Sequence, residues 1–304
     1  MALRATNLGL LVVLLIGAVA CRDKSADKAG STGRSLPPVY PLGPIENTNW
    51  NRDAGPIMIV SAGADTVAVV IPEATDSTIA SFQDITPPTS GLTFDLFGRA
   101  GKVGSAVGAS PLSVKASPDC YSWPLARLQA ANANWQVGFA TGHVLAIKLD
   151  SIESMSSADS AALAASLAQT AALLPIALDP NYRGLPFRVR SAYTFRMDSV
   201  DVVVADVVRS VNEEANPRVE HLLIVGERSV GSNGKFNVGY FNRTAGAEES
   251  TPATEVLTAV AVGPGKRPAI VVRIEYSDGG KLGLIERTGP GQWRATWTSA
   301  YTDC

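Results

Sequence analysis

The sequence predicts an α+β fold, strongly β-weighted, and three observations carry that expectation. Short β-branched runs bounded by Gly, Pro, Asp and Ser recur along most of the chain. Helical periodicity is sustained in a single segment. The C-terminal part reads as two successive four-stranded meanders with similar closing hairpins, an internal repeat. With 46% hydrophobic and 18% charged residues among 304, the chain has ample material for a core and a sparsely charged surface. Its net charge of −2 and scattered basic residues exclude nucleic acid, which requires a concentrated positive patch.

Arg4 precedes an unbroken apolar run from Leu8 to Ala20, followed by Cys21. A stable membrane span needs about 20 apolar residues. A basic start, a shorter apolar core and small residues at a cleavage point describe instead a secretory signal over residues 1–20. Ala18-Val19-Ala20-Cys21 has two readings. Ala-x-Ala suits ordinary signal peptidase, while small residues directly before a Cys resemble the lipobox of bacterial lipoproteins, which prefers Leu where Ala18 stands. Cysteine parity favours the second reading, because lipidation of Cys21 leaves Cys120 and Cys304 free to pair. The resemblance to lipoproteins implies a diacylglyceryl thioether and an N-acyl chain on Cys21, and more than one chain makes anchoring stable. Arg22, standing where Asp would retain such a protein at the inner membrane, then implies the periplasmic face of the outer membrane.

Residues 21–55 are expected to be a disordered, Pro-rich tether. The stretch from Arg22 to Arg34 has no hydrophobe larger than Ala, and Pro37, Pro38, Pro41 and Pro44 favour extended geometry. Alternatively the Pro-rich part lies along the domain surface, with Tyr40 and Trp50 as anchors. A β-rich region is expected over 56–187, with strands at Ile57–Val60, Thr66–Ile71, Leu92–Phe97, Trp135–Ala140 and Val144–Leu149. Ser156 followed by Asp159 resembles a capping box. Leu163, Leu167 and Leu174 share one helical face and Pro175 ends it, so a helix is expected over 157–174, flat against a sheet on account of its many Ala residues. A shorter helix is expected from Pro124, which suits a first helical turn.

The C-terminal region, 188–304, divides into strands at Arg188–Arg196, Val200–Val211, Val219–Glu227 and Lys235–Asn242, then Glu255–Val262, Ala269–Tyr276, Lys281–Glu286 and Gln292–Ser299. Ser232-Asn233-Gly234, Gly263-Pro264-Gly265, Asp278-Gly279-Gly280 and Gly289-Pro290-Gly291 are strong turn formers between them. AVAVGPGKRPAIVVRIEY, followed by a hairpin and a Trp-bearing strand, resembles a blade of the FG-GAP or VCBS-type β-propellers. That family places an Asp-rich calcium loop where Gly263 to Arg267 stand here without an acidic residue, so calcium is not implied. Two units cannot close a propeller of 4 to 8 blades, which leaves a packed pair of sheets or an eight-stranded barrel.

No motif points to a catalytic residue, a cofactor or a metal site. His143 and His221 lack metal-spaced partners, and Glu220 and His221 are strand neighbours that point to opposite faces. Gly98, Gly101, Gly104 and Gly108 miss the spacing of a phosphate-binding loop and read as a glycine-rich strand. Ser232 in VGSNG lacks the first Gly of a nucleophile elbow. Ser232 with Lys235, and Ser25 with Lys28, match S-x-x-K by chance, and Glu213 with Glu214 reads as a solvated loop pair. Asn242-Arg243-Thr244 is a sequon of no consequence in a bacterial chain. Trp293 and Trp297, four apart on a strand, are expected to share a face with Ala295, as core rather than as a sugar-stacking platform. A Cys120–Cys304 disulfide would close a long loop worth about 4 to 5 kcal/mol by chain entropy. The expected function is that of an exported, lipid-anchored envelope protein with a non-catalytic binding or structural role. Its partners would be the membrane through Cys21 and an envelope protein or glycan. The alternatives are a hydrolase whose site is assembled from distant residues and a small-ligand carrier whose eight C-terminal strands close around a cavity.

Overall fold

Antiparallel pairing accounts for every strand of the computed structural model, which describes residues 50–63, 65–76, 89–112, 122–129, 134–175, 179–211, 216–232 and 234–303. Cys21, Cys120, Cys304, the expected tether up to residue 49, the Glu213–Glu214 pair and Asn233 lie outside the described residues. Six strands form a closed barrel in the order β1-β2-β5-β4-β3-β6. They are β1 (Met58–Ser61), β2 (Thr66–Val70), β3 (Thr93–Gly98), β4 (Gly101–Leu112), β5 (Leu125–Gln129) and β6 (Val137–Ala140). Ile59, Val67, Val69, Phe94, Leu96 and Leu128 belong to one buried cluster that fills the barrel. Met58, Val60, Val70, Phe97, Val137 and Phe139, alternating with them, belong to a second cluster on the outside. The continuous apolar run Ile57–Val60 thus reflects a strand buried on both faces.

Both predicted meanders form, and each gains a fifth strand. A middle sheet has the order β16-β15-β14-β13-β7, from β7 (Val144–Ile147), β13 (Ala253–Val262), β14 (Arg267–Tyr276), β15 (Gly279–Gly289) and β16 (Gln292–Thr298). An outer sheet has the order β12-β11-β10-β9-β8, from β8 (Asp150–Ser151), β9 (Arg188–Met197), β10 (Val200–Val211), β11 (Arg218–Ser229) and β12 (Asn237–Ala247). The chain leaving the barrel therefore supplies one edge strand to each sheet. The eight C-terminal strands do not close into a barrel; they stack as two sheets, and the closed barrel is N-terminal and filled with side chains.

Four layers result. One face of the middle sheet, with Val260, Val262, Ala269, Val271, Leu284 and Trp297, packs on the barrel exterior. Its other face, with Val256, Ile270, Val272, Ile285 and Trp293, packs on Phe195, Val202, Val204, Leu223 and Val225 of the outer sheet. The far side of the outer sheet is covered by α1 (Ser157–Leu173), through Leu163, Leu167 and Ala171. The Ser156 hydroxyl accepts from the Asp159 amide at 3.2 Å and donates to the Asp159 carboxylate at 2.7 Å, so Ser156 caps the helix as expected.

Three expectations need correction. The segment after Pro124 is strand β5 rather than a helix: its helix-forming composition yields to an alternation that turns Ala126 and Leu128 inward, with β2 and β4 pairing on either side. Trp293 and Trp297 do not share a face. Leu284 pairs with Trp297 and Ile285 with Ala295, so Thr296 is an extra residue in a bulge, and Trp297 turns to the barrel while Trp293 and Ala295 stay between the sheets. Residues 50–55, expected at the end of the tether, belong to the folded part: Trp50 is buried, its indole donates to the Gly55 carbonyl at 2.5 Å, and its ring meets Trp297 edge-on at 4.8 Å.

The two sheets are clamped at one end by Glu227 of β11. Its buried carboxylate accepts from Arg287 Nε at 2.7 Å and NH2 at 3.0 Å, from the Trp293 indole at 2.7 Å and from the Gly291 amide at 3.0 Å, all on the middle sheet. Beside it Gly239 of β12 lies so close to the Gly291 carbonyl that a Cβ there would stand 2.6 Å from the oxygen. Burial alone would raise the Glu227 pKa, but these four donors and the Arg287 charge hold it below its ordinary value of 4.5. Its stabilising effect is therefore present above about pH 4.5 and is lost as the pH falls below that. Glu227→Ala should lower the unfolding free energy by about 3 to 5 kcal/mol in urea titrations at pH 7. The variant should also lose less stability than the native chain between pH 5 and pH 3.

Candidate functional site

Where the barrel meets the end of the middle sheet, the chain leaves a cleft of 460 Å³. One wall comes from the barrel: Val60, Ala62 and Ala68 of the β1–β2 hairpin, and Ser122, Trp123 and Leu125 at the entry to β5. The opposite wall comes from the ends of β14 and β15, with Arg273, Glu275, Tyr276, Lys281 and Leu282, and from Ser299 and Thr302 beyond β16.

The wall holding Thr302 exists because the last residues fold back across β15. The Gly280 amide donates to the Thr302 carbonyl at 2.7 Å, and the Thr302 amide donates back at 3.0 Å. Only glycine fits next to this contact, since a Cβ at Gly279 would stand 1.9 Å from the Thr302 carbonyl oxygen. Gly279 and Gly280, expected in a turn, are thus the first residues of β15. Asp76 secures the return by accepting from the Tyr301 amide at 2.7 Å, and Lys281 Nζ stands 3.6 Å from its other oxygen. Tyr276 and Tyr301 meet edge-on at 5.6 Å.

The cleft is apolar within and charged at its rim. Trp123, Val60 and Leu282 are buried, whereas Arg273 stands between Glu255 at 3.7 Å and Glu275 at 4.0 Å. Burial raises the pKa of Tyr276 on the cleft wall and of Tyr301 beside it, and the bond that the Tyr301 hydroxyl donates to Asp278 raises that of Tyr301 further, so both phenols are neutral at pH 7. The Ser299 hydroxyl is taken up by the backbone: it accepts from the Leu282 amide at 2.9 Å and donates to the Ala300 carbonyl at 2.8 Å. What these groups offer is shape, apolar surface and a few polar contacts, which is the chemistry of binding.

The residues singled out by sequence lie elsewhere. His143 is exposed, in the turn between β6 and β7. His221 and Glu220 do face opposite sides of β11, yet His221 Nδ1 lies 3.1 Å from Asp206 of β10, a buried carboxylate that also accepts from Arg190 at 2.9 Å. Gly101, Gly104 and Gly108 are in β4, a strand as expected, and Gly98 ends β3. Trp293 and Trp297 are both buried, hence core rather than a platform. Among the described residues no group of three His, Cys, Asp or Glu side chains could hold a metal ion, and no helix is long and apolar enough to cross a membrane.

Two arrangements had no signature in the sequence: the His221–Asp206 pair, and the contact of Arg209 and Arg243 with Glu220. Both join residues on neighbouring strands, and only the registers of β10, β11 and β12 bring them together. Comparison with protein-family models, with curated proteins and with solved structures finds no match for this chain. Nile red, a neutral apolar dye, should bind the native protein in the cleft with a rise in fluorescence. Ala62→Trp, a change at an exposed position on the cleft wall, should weaken that binding at least tenfold without altering the unfolding midpoint.

Proposed function

We propose that this chain is an exported, lipid-anchored envelope protein with a non-catalytic binding role, its ligand seated in the cleft between barrel and middle sheet. The observation that carries the binding role is the cleft itself. Its 460 Å³ fall within the roughly 300 to 1,000 Å³ of small-molecule pockets, with aromatic walls and few polar contacts. The anchoring rests on the signal and lipobox-like residues Ala18 to Cys21. Fully extended, the stretch from Cys21 to the buried Trp50 would reach at most about 100 Å, enough to hold the cleft clear of a bilayer.

A Cys120–Cys304 disulfide belongs to the same proposal. Ser122 and Thr302, each two positions in sequence from one of these cysteines, line the same cleft, which supports the pairing. In a bacterial host fed labelled palmitate, the native chain should take up label into the membrane fraction and Cys21→Ala should not; label retained by the variant would contradict the anchor. Iodoacetamide applied to the denatured mature protein should add nothing before reduction and two adducts after it, and adducts before reduction would contradict the bridge.

A further inference from the structure

The outer sheet carries a second cavity, of 370 Å³, under the C-terminal end of α1. Ala171, Leu174 and Phe187 give it apolar walls, and its charged lining is Arg183, Arg209 and Arg243. No carboxylate lines it among the described residues. Behind the wall lies Glu220, fully buried, which accepts from Arg209 Nε and from Arg243 NH1. Three guanidinium groups against one carboxylate leave an excess of positive charge in a confined, partly desolvated space.

Arg209 and Arg243 are held in place rather than free to swing. Arg209 is 8% exposed and its guanidinium lies 4.5 Å from the Phe187 ring centroid and 5.6 Å from that of Tyr182. The other terminal nitrogen of Arg243 donates to the Pro175 carbonyl at 2.7 Å, just past the end of α1. Arg183 is exposed and forms no ion pair among the described residues. Neutralising the buried Glu220 would need one arginine, and a structural role for Arg209 and Arg243 leaves both Arg183 and the open cavity unused.

We propose that this cavity binds a small organic anion, a carboxylate or phosphate carried on an apolar group. The anionic head meets Arg183 and Arg209, whose planar donor forks suit both oxyanions. The apolar part lies against Phe187 and Leu174. This site is independent of the cleft, and neither depends on the other.

Titration calorimetry of the purified protein against phenyl phosphate, 4-phenylbutyrate and the neutral 4-phenylbutyramide tests it. At least one anion should bind with one-to-one stoichiometry, at least tenfold tighter than the amide, and more weakly as sodium chloride is raised. Arg183→Ala, an exposed change, should weaken anion binding at least fivefold at an unchanged unfolding midpoint. The two anions distinguish a phosphate from a carboxylate preference. Binding of neither anion, equal binding of the amide, or indifference to Arg183→Ala would each overturn the proposal.

Discussion

The middle sheet is buried on both faces, and the rest of the molecule is arranged to satisfy that requirement. Ala269, Ile270, Val271 and Val272 of β14 are all fully buried, with alternate residues belonging to two different clusters. A sheet of this kind cannot remain in water on either side, because each exposed apolar face would forfeit about 25 cal/mol for every Å² left uncovered. The barrel covers one face and the outer sheet the other. The outer sheet in turn exposes an apolar far side, which α1 covers with its leucine stripe. Each layer therefore exists to complete its neighbour.

Polar contacts fix how the layers sit on one another. Thr258 of β13 donates to the Gly98 carbonyl at the end of β3, and Arg99 in the β3–β4 turn donates to the Val256 carbonyl while its guanidinium lies over Tyr193 of the outer sheet. One turn of the barrel thus touches both sheets. Between the outer and middle sheets, Glu227 ties β11 to Arg287, Gly291 and Trp293. Buried carboxylates of this kind contribute specificity of docking as well as stability, because a shifted layer would leave them unpaired. The cleft is a by-product of the same docking: it lies between the barrel wall and the end of the middle sheet, and the returning segment from Ser299 to Thr302 closes one side.

Much of this architecture is legible in the sequence because it is written in short-range patterns. The turn residues at Gly263-Pro264-Gly265 and Gly289-Pro290-Gly291, the alternation in β14 and the Ser156–Asp159 cap each act over a few residues. What is not legible depends on distant pairing. Closure of the barrel needs β1 to meet β6, with Met58 opposite Phe139. The short β5 is selected by two neighbours rather than by its own helix-forming residues. A single bulge at Thr296 reverses the direction of Trp297, and a strict period of two has no means of anticipating it. The cleft and the arginine cavity suffer the same way, since residues such as Val60 with Thr302, or Arg183 with Arg243, are neighbours only through the folded registers.

The central claim is that barrel, middle sheet and outer sheet form one cooperative unit, because the middle sheet has no stable state with a face uncovered. Native-state hydrogen exchange at increasing urea, read by mass spectrometry on peptides from β1–β2, β10–β11 and β14, tests it most directly. The account predicts that all three merge into a single global opening with the same free energy and the same urea dependence. Opening of the barrel peptides at distinctly lower urea, while β14 stays protected, would contradict it.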